Sequence, residues 1–436
     1  MPLLLGAIAD DLTGGIELAS MLVAQGVRTG FGIGPAASLV EDAEAQVIAL
    51  KTRVIPADEA VTAVLGGAER LITRGARQVF FKYCATFDST PAGNIGPCAE
   101  ALIDRLDAHR ALFCPALCET GRTVYQGHMF GGSTLLSDSP KRFDPLTPMT
   151  DSNLVRVLQA QSRQKVGLID HSIVEAGPEA IRYRSEQLAA EGATLQIVDT
   201  LNENHLAAIA DAAAGMPLLT GNSSVAAHLP ACWRRSGDLQ ATAPIMLAGV
   251  DGPGAVIAGS VAEQTRQQLA VFGTHHPVLT LHLERAFAGD DLVGEAMTFA
   301  RQCMRQCRDF AISTAVPQAA VDQLQTRFGR AETAAQAEFI LSTLAHRFVH
   351  ELGVRRIVVA GGETSGAVVA ALGLTRLEVG PYLGLGMSRA ITRTEPILGL
   401  SLKSGKLGSL DVFERLLADM CRPLHAAPMP DVWPSR

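Results

Sequence analysis

Arg356-Ile357-Val358-Val359-Ala360-Gly361-Gly362-Glu363-Thr364-Ser365-Gly366 is the stretch that decides the fold class of this 436-residue chain. Its β-branched, apolar first half reads as a buried strand, and two glycines stop it. A helix-compatible run, 367–372, begins at once. A strand-to-helix turn with no side chains at its apex lets the backbone approach an anion. The helix start then offers unpaired N–H groups and a partial positive charge. Phosphate is the anion such turns most often hold. A tight turn in an ordinary α/β domain makes the same pattern, so the motif needs its context.

Some forty residues on, Lys403-Ser404-Gly405-Lys406-Leu407-Gly408 forms a second small, basic loop, and the two together suggest a nucleotide site. The chain is too long for one ordinary domain and reads as two. Its hydrophobic content of 47% leaves ample core and no disordered class to assign. A net charge of −7 argues against general nucleic-acid binding, which needs a basic face. A small anionic substrate remains compatible, because a few local cations outvote the global sign. The opening residues lack a basic region ahead of their apolar run and read as a strand, not a signal peptide. No apolar run is long enough to span a membrane. The expectation is a cytoplasmic protein with reduced cysteines. Cys114/Cys118 and Cys303/Cys307 are spaced by four, unlike the close pairs of a zinc site.

Strands at 3–9, 47–50 and 78–82 alternate with helices at 13–25 and 61–73, and with one marked by Ile95, Cys98, Ala99, Leu102 and Leu106. Pro140, Pro145 and Pro148 make 139–150 irregular. Strands at 166–170, 194–198 and 217–220 then alternate with helices at 152–161, 178–191 and 203–213. Residues 233–254 read as a link. The second half offers strands at 255–258 and 277–283, and helices at 261–271, 292–306 and 331–351. This alternation predicts an α/β chain of two domains, each built on a mainly parallel sheet flanked by helices.

In open parallel sheets ligands bind beyond the carboxyl ends of the strands, and the candidate side chains fall there. Asp10-Asp11 follows the first strand and suits proton acceptance or a polyol hydrogen bond; a helix cap explains Asp11 equally well. Lys51 and Arg53 follow the second strand, and arginine suits bidentate capture of a carboxylate. The loop Thr86-Phe87-Asp88-Ser89-Thr90-Pro91-Ala92-Gly93-Asn94 follows the third. Gly121-Arg122-Thr123 adds a further anion contact of lower weight. Ser260, after the strand at 255–258, is placed to meet a phosphate or to cap a helix. No P-loop and no protein-kinase motif set is present. Gly30-Phe31-Gly32-Ile33-Gly34 lies at the wrong end of its unit for a dinucleotide loop.

At these residues the chain resembles the four-carbon acid sugar kinases. Ile8-Ala9-Asp10-Asp11-Leu12-Thr13-Gly14, Lys51-Thr52-Arg53 and Asp88-Ser89-Thr90 with Gly93-Asn94 are similar to the family's N-terminal half. Gly259-Ser260, Gly361 to Gly366 and Leu402-Lys403-Ser404-Gly405 are similar to its C-terminal half. The runs 82–97 and 145–154 resemble the branch acting on 3-oxo acids, whereas many threonate or erythronate kinases carry a basic residue where Ala92 stands. The resemblance implies a sugar-acid-binding domain over 1–232 and a nucleotide-binding domain over 255–436. It places the acid pocket at Asp10, Arg53, Lys82, Asp88, Ser89, Thr90 and Asn94. The ATP contacts would be Ser260, Gly361, Gly362, Glu363, Thr364 and Gly405. ATP with Mg²⁺ would donate a phosphoryl group to the C4 hydroxyl. Arg53 would grip the carboxylate, and Asp10 or Asp11 would act as the catalytic proton acceptor. Lys406-Leu407 departs from the family's Asn-Phe beside Gly405. The partners implied are the small acid and ATP, without nucleic acid or membrane, and a homo-oligomer is compatible. A threonate or erythronate kinase and a non-catalytic sensor are the rivals, and a dehydrogenase lacks its fingerprint.

Overall fold

In a computed structural model of the chain, residues 2–144, 146–240 and 245–425 are described. They divide into two compact units, the first ending at residue 240 and the second running from Ile245 to 425. Pro145 and the tail 426–436, included in the sequence-based reading, lie outside the described residues.

The first unit carries β1 (Leu5–Ala9), β2 (Thr29–Ile33), β3 (Ala45–Ala49), β4 (Gln78–Lys82) and β5 (Ala111–Cys114). These are followed by β6 (Arg122–Tyr125), β7 (His128–Gly131), β8 (Thr134–Leu135), β9 (Val166–Ile169), β10 (Leu195–Val198) and β11 (Leu218–Gly221). Eight of them form one sheet in the order β2-β3-β1-β4-β11-β5-β10-β9, and every pairing in it is parallel. Every residue of β1, β3 and β4 is buried, because helices cover both faces. On one face the helix Leu12–Ala24 packs against the short helix Ser223–Ala226; elsewhere Ala57–Thr73 packs against Ile95–Arg105.

The second unit carries β12 (Met246–Leu247), β13 (Gly254–Ala258), β14 (Val278–Thr280), β15 (Phe310–Ser313) and β16 (Arg356–Ala360). β17 (Arg376–Val379), β18 (Ala390–Ile391), β19 (Gly399–Lys403) and β20 (Leu424–His425) complete it. Its main sheet runs β14-β15-β13-β16-β19-β18-β17. The first five strands are parallel, and β18 and β17 add an antiparallel margin. A core of Val256, Ala258, Leu269, Phe272, Val358, Phe413 and Leu416 fills one side of this sheet.

Several expectations are corrected. The strand expected at 277–283 stops at Thr280, and Leu283–Phe287 is helical. The helix expected from 261 begins at Glu263, because Ala262 is still extended at φ −59 and ψ 140. The link from 233 is in part the helix Leu229–Ser236, ended by Gly237 in the left-handed region. The three-stranded sheet β6-β7-β8 went unforeseen, its strands being short and interrupted by glycine.

Candidate functional site

Each unit places its polar cluster where the connections of its sheet diverge. From β1 the chain moves to β2 and β3 on one side, then to β4 on the other, so a crevice opens between β1 and β4. From β13 it moves to β14 and β15, then to β16 on the opposite side, opening a second crevice between β13 and β16. Such switch points are where open parallel sheets hold ligands.

In the first unit, Ala9 pairs with Lys82 and with Ala49, so the residues that follow these strands meet at one edge. The Arg53 guanidinium donates from Nε to Asp10 Oδ2 at 2.8 Å and from Nη2 to Asp10 Oδ1 at 2.9 Å. Nη2 also lies 2.8 Å from Asp11 Oδ1. One arginine thus clamps both aspartates. Burial alone would lower the Arg53 pKa, but Asp10 and Asp11 raise it well above the usual range. Lys82, only 2% exposed, stands over Gly14 beside Asp11. A side chain at position 14 would collide with its ammonium.

The two aspartates differ. Asp11 caps the helix Leu12–Ala24, accepting from Gly14 N at 2.8 Å and from the Thr13 hydroxyl at 2.6 Å. Burial would raise its pKa, but Arg53, Lys82 and these two hydrogen bonds bring it down to about 2. Both Asp11 oxygens are therefore committed. The resulting stabilisation is complete above the ordinary value of 3.8, fades as pH falls toward 2, and is absent below that. Asp11→Asn, which keeps a capping oxygen, is expected to lose about 2 kcal/mol at pH 7. Urea denaturation should show the gap to wild type closing between pH 4 and pH 2; a pH-independent gap would dismiss the charge argument.

The polar loop after β4 is tied down from several directions. Phe87 adopts φ +50, a region that bulky residues rarely enter, and its ring is fully buried against Tyr83 at 5.3 Å. Asp88 accepts from Thr86 Oγ1 at 2.5 Å and from Lys141 Nζ at 2.8 Å. Ser89 Oγ accepts from Gln161 at 2.5 Å, and Thr90 O accepts from Gly93 N. Asn94 donates to Thr52 O at 2.7 Å and Ile55 O at 3.1 Å, fastening the turn that carries Arg53. Cys84 lies in the same loop, but burial and then Asp88 push its thiol up to about 11, so it is no ready nucleophile. Lys141, which pairs with both Asp88 and Asp144 at 2.8 Å, was missed in the sequence. Its prolines marked the segment as irregular and gave no sign that a cation there would turn inward. Arg122, read as an anion contact, bonds to Thr120 Oγ1 within the β6 hairpin region.

In the second unit, Ser313, Ala258, Ala360 and Lys403 lie in one register row across β15, β13, β16 and β19. The chain just beyond this row carries Ser260, Gly361 to Thr364 and Gly405. Gly361, at φ +125, turns the chain into the helix Gly362–Ala371, and its N–H donates to Lys403 O. A Cβ on Gly362 would meet nothing within 4 Å, so its face is open. A Cβ on Gly259 would strike Thr364 Oγ1, and one on Gly405 would strike Ser260 Oγ. Ser260 is not the helix cap; its hydroxyl accepts from Ala262 N at 3.3 Å. The helix Glu263–Phe272 holds the 405–409 backbone by its carbonyls. Thr265 donates to Gly405 O at 2.8 Å, Gln264 to Gly408 O at 2.8 Å, and Gln268 to the carbonyls of Leu407, Gly408 and Ser409 at 3.0–3.1 Å. The result is a backbone cradle suited to phosphate oxygens.

Lys403 is 1% exposed; its ammonium donates to Ser404 O and lies 5.5 Å from the Phe413 ring centre. Burial lowers its pKa to about 8 from 10.5. The folded state therefore bears the full burden of this charge below pH 8 and sheds it as pH rises toward 10.5. Lys403→Met is expected to stabilise the fold at pH 7 by about 3 kcal/mol. Its advantage in urea should narrow by about 1 kcal/mol at pH 9. An unchanged or destabilised variant would rule this out.

Elsewhere His171, Glu175 and His205 offer ligand atoms within 4.8 Å of one another. His205 Nδ1, however, accepts the Leu201 N–H at 3.1 Å while Nε2 faces Glu175 at 2.6 Å. A metal-bound imidazole donates through its second nitrogen, so this ring is in the wrong protonation pattern for a ligand. Among the described residues no helix is long and apolar enough to cross a membrane.

Comparison with known proteins agrees with this division. Residues 5–229 match the family model of a sugar-binding N-terminal domain, and residues 255–413 that of a nucleotide-binding C-terminal domain. A 3-oxo-tetronate kinase of Burkholderia multivorans is 44% identical over 95% of this chain and 96% of its own. A 3-oxo-tetronate kinase of Pseudomonas savastanoi pv. phaseolicola is 43% identical over 96% and 97%. A crystal structure of a Salmonella typhimurium LT2 protein, 36% identical, superposes with a TM-score of 0.84 over 95% of this chain and 98% of its own. A Haemophilus influenzae protein structure gives 0.76 at 33% identity, over 95% and 100%.

Proposed function

The chain belongs to the four-carbon acid sugar kinase family, and from that premise we propose that it transfers the γ-phosphate of ATP to the C4 hydroxyl of 3-oxo-tetronate. The observation that carries the reading is the near full-length identity of 42–44% to proteins named for that reaction. Position 92 accords with it, being an exposed alanine rather than a cation.

In this reading the first unit binds the acid and the second the nucleotide. Arg53 and Lys82 supply the positive charge that draws the substrate carboxylate, Ser89 and Thr90 offer hydroxyl protons to its oxygens, and Asp88 accepts from a substrate hydroxyl. Asn94 contributes by holding the Arg53 turn. Asp10 accepts the proton of the C4 hydroxyl; both aspartates have their oxygens engaged, Asp10 by Arg53, but Asp11 also caps its helix, and a pKa of about 2 makes it a weak base. The hydroxyl oxygen attacks the γ-phosphorus in line, the bridging bond to the β-phosphate breaks, and ADP leaves with those electrons. Positioning and charge neutralisation supply most of the acceleration.

The residues of the second unit fit a triphosphate. Gly361, Gly362 and Thr364 present the helix start, and Ser260 and Gly405 form a gap that a Cβ would fill. Mg²⁺, when bound, would neutralise phosphate charge. Glu363 in the first turn is the carboxylate nearest in sequence to serve it, with phosphate oxygens and water completing its shell. A cytoplasmic setting, where ATP is abundant, accords with this chemistry.

The test is ADP release with 3-oxo-tetronate against D-threonate and D-erythronate. Turnover confined to the 3-oxo acid is expected. A preference for either reduced acid would reassign the substrate, and ADP release with none would remove the kinase reading.

A further inference from the structure

The helix Glu263–Phe272 has two working faces. Gln264, Thr265 and Gln268 secure the 405–409 backbone. Arg266, Leu269 and Ala270, one step round the helix, face a cleft of about 420 Å³ whose far wall is Val278 and Thr280 of β14 with Ala315 beyond β15. This volume lies within the usual range for small-molecule sites, and the lining is mainly apolar with a few polar groups, as such sites require. The cleft starts one residue from Thr265, the side chain bonded to Gly405 O. Its Thr280 pairs with Ser313, in the register row of Ala258, Ala360 and Lys403, so one end of the cleft reaches the strand ends that Ser260 and Gly405 follow. Among the described residues Arg266 Nε is buried there without a hydrogen-bond partner, while its Nη2 pairs with Glu263; a guanidinium plane stacks well on a flat aromatic ligand.

We propose that this cleft receives the adenosine half of ATP, with the purine against Leu269, Ala270 and Val278 and under the Arg266 guanidinium. The proposal rests on the second unit being the nucleotide-binding one. A triphosphate spread over Ser260, Gly361 and Gly405 leaves its nucleoside to one side of the crevice. On the β19 side Lys403 and the tethered 405–409 backbone fill the space. Toward β14, the edge strand, the cleft stands open. The helix turns an apolar face, Leu269 and Ala270, to the cleft and a polar one, Gln264, Thr265 and Gln268, to the 405–409 loop, which matches the two chemical ends of a nucleotide.

Two measurements test it on the full chain. Photolabelling with 8-azido-ATP followed by trypsin should place the label on the peptide 267–285, bounded by Arg266 and Arg285. Ala270 is exposed, so Ala270→Trp should fill the cleft without disturbing the core. Calorimetry is expected to show ATP bound at least 10-fold more weakly by this variant, with tripolyphosphate affinity unchanged. Label on another peptide, unchanged ATP affinity, or an equal loss for ATP and tripolyphosphate would overturn the assignment. The kinase reading fails separately. Absent ADP release with ATP binding and labelling intact removes the reaction and leaves the cleft; full turnover with label elsewhere does the reverse. A wild-type chain that binds no ATP ends both.

Discussion

Gly405→Val is expected to lower kcat/KM for ATP by more than 100-fold while the acid still binds. The obstruction is steric. A Cβ at 405 would overlap the Ser260 hydroxyl, come within 2.6 Å of Ser260 Cβ and lie 3.4 Å from Thr265 Oγ1. Ser260 cannot yield easily, because its own N–H donates to Ala360 O. Nor can the loop retreat, since Thr265 holds Gly405 O and Gln264 and Gln268 hold the following carbonyls. One of the two must shift, and either shift spoils the spacing of amides that a triphosphate would meet. A 100-fold loss corresponds to about 3 kcal/mol of transition-state stabilisation. Steady-state kinetics with ATP varied, alongside calorimetry with the acid alone, checks it. A wild-type KM for ATP in the valine variant would show that nucleotide does not use this gap.

The second large effect concerns Asp10. Asp10→Asn keeps the shape but removes the charge that meets Arg53 through two bonds of 2.8 and 2.9 Å. It also removes the proposed proton acceptor. General-base loss typically lowers kcat by about 10²–10⁴. Removing one partner of a buried pair costs about 3–5 kcal/mol, and here the lower end applies because Asp11 still faces Arg53. The comparison that decides is with Asp11→Asn. That variant should lose stability in acid-sensitive fashion but retain far more turnover than Asp10→Asn. If the order of kcat is reversed, Asp11 is the base and Asp10 the structural anchor.

Gly361 and Gly405 were legible in the sequence because each answers a backbone demand that no other residue meets. Gly361 needs positive φ, and Gly405 needs the absence of a Cβ. Asp10, Arg53 and the 86–94 loop were legible as members of one edge, because parallel strands bring their carboxyl ends together. What they do there was not. The clamp between Arg53 and both aspartates joins positions 43 residues apart, and no local pattern encodes a partner at that distance. An arginine read as an open carboxylate receptor has its Nε and Nη2 already engaged. Lys141 escaped for a similar reason, its inward turn depending on a 3-10 segment, Pro140–Phe143, among prolines. The adenosine cleft was wholly illegible, since it exists only as the space between a helix face and two strand ends. Boundaries erred where polar residues end a hydrophobic run, as at Thr280.

Gln268 offers its side-chain amide to three carbonyls in succession, yet that amide carries two hydrogens. At any instant one acceptor goes short or shares. Trading partners among Leu407, Gly408 and Ser409 therefore requires neither detachment from the helix nor exposure of the buried amide to water. The tether therefore has a bond in reserve, and losing any one of the three leaves the 407–409 turn gripped in place. An anion arriving above it meets a backbone already set, with little ordering left for the ligand to impose.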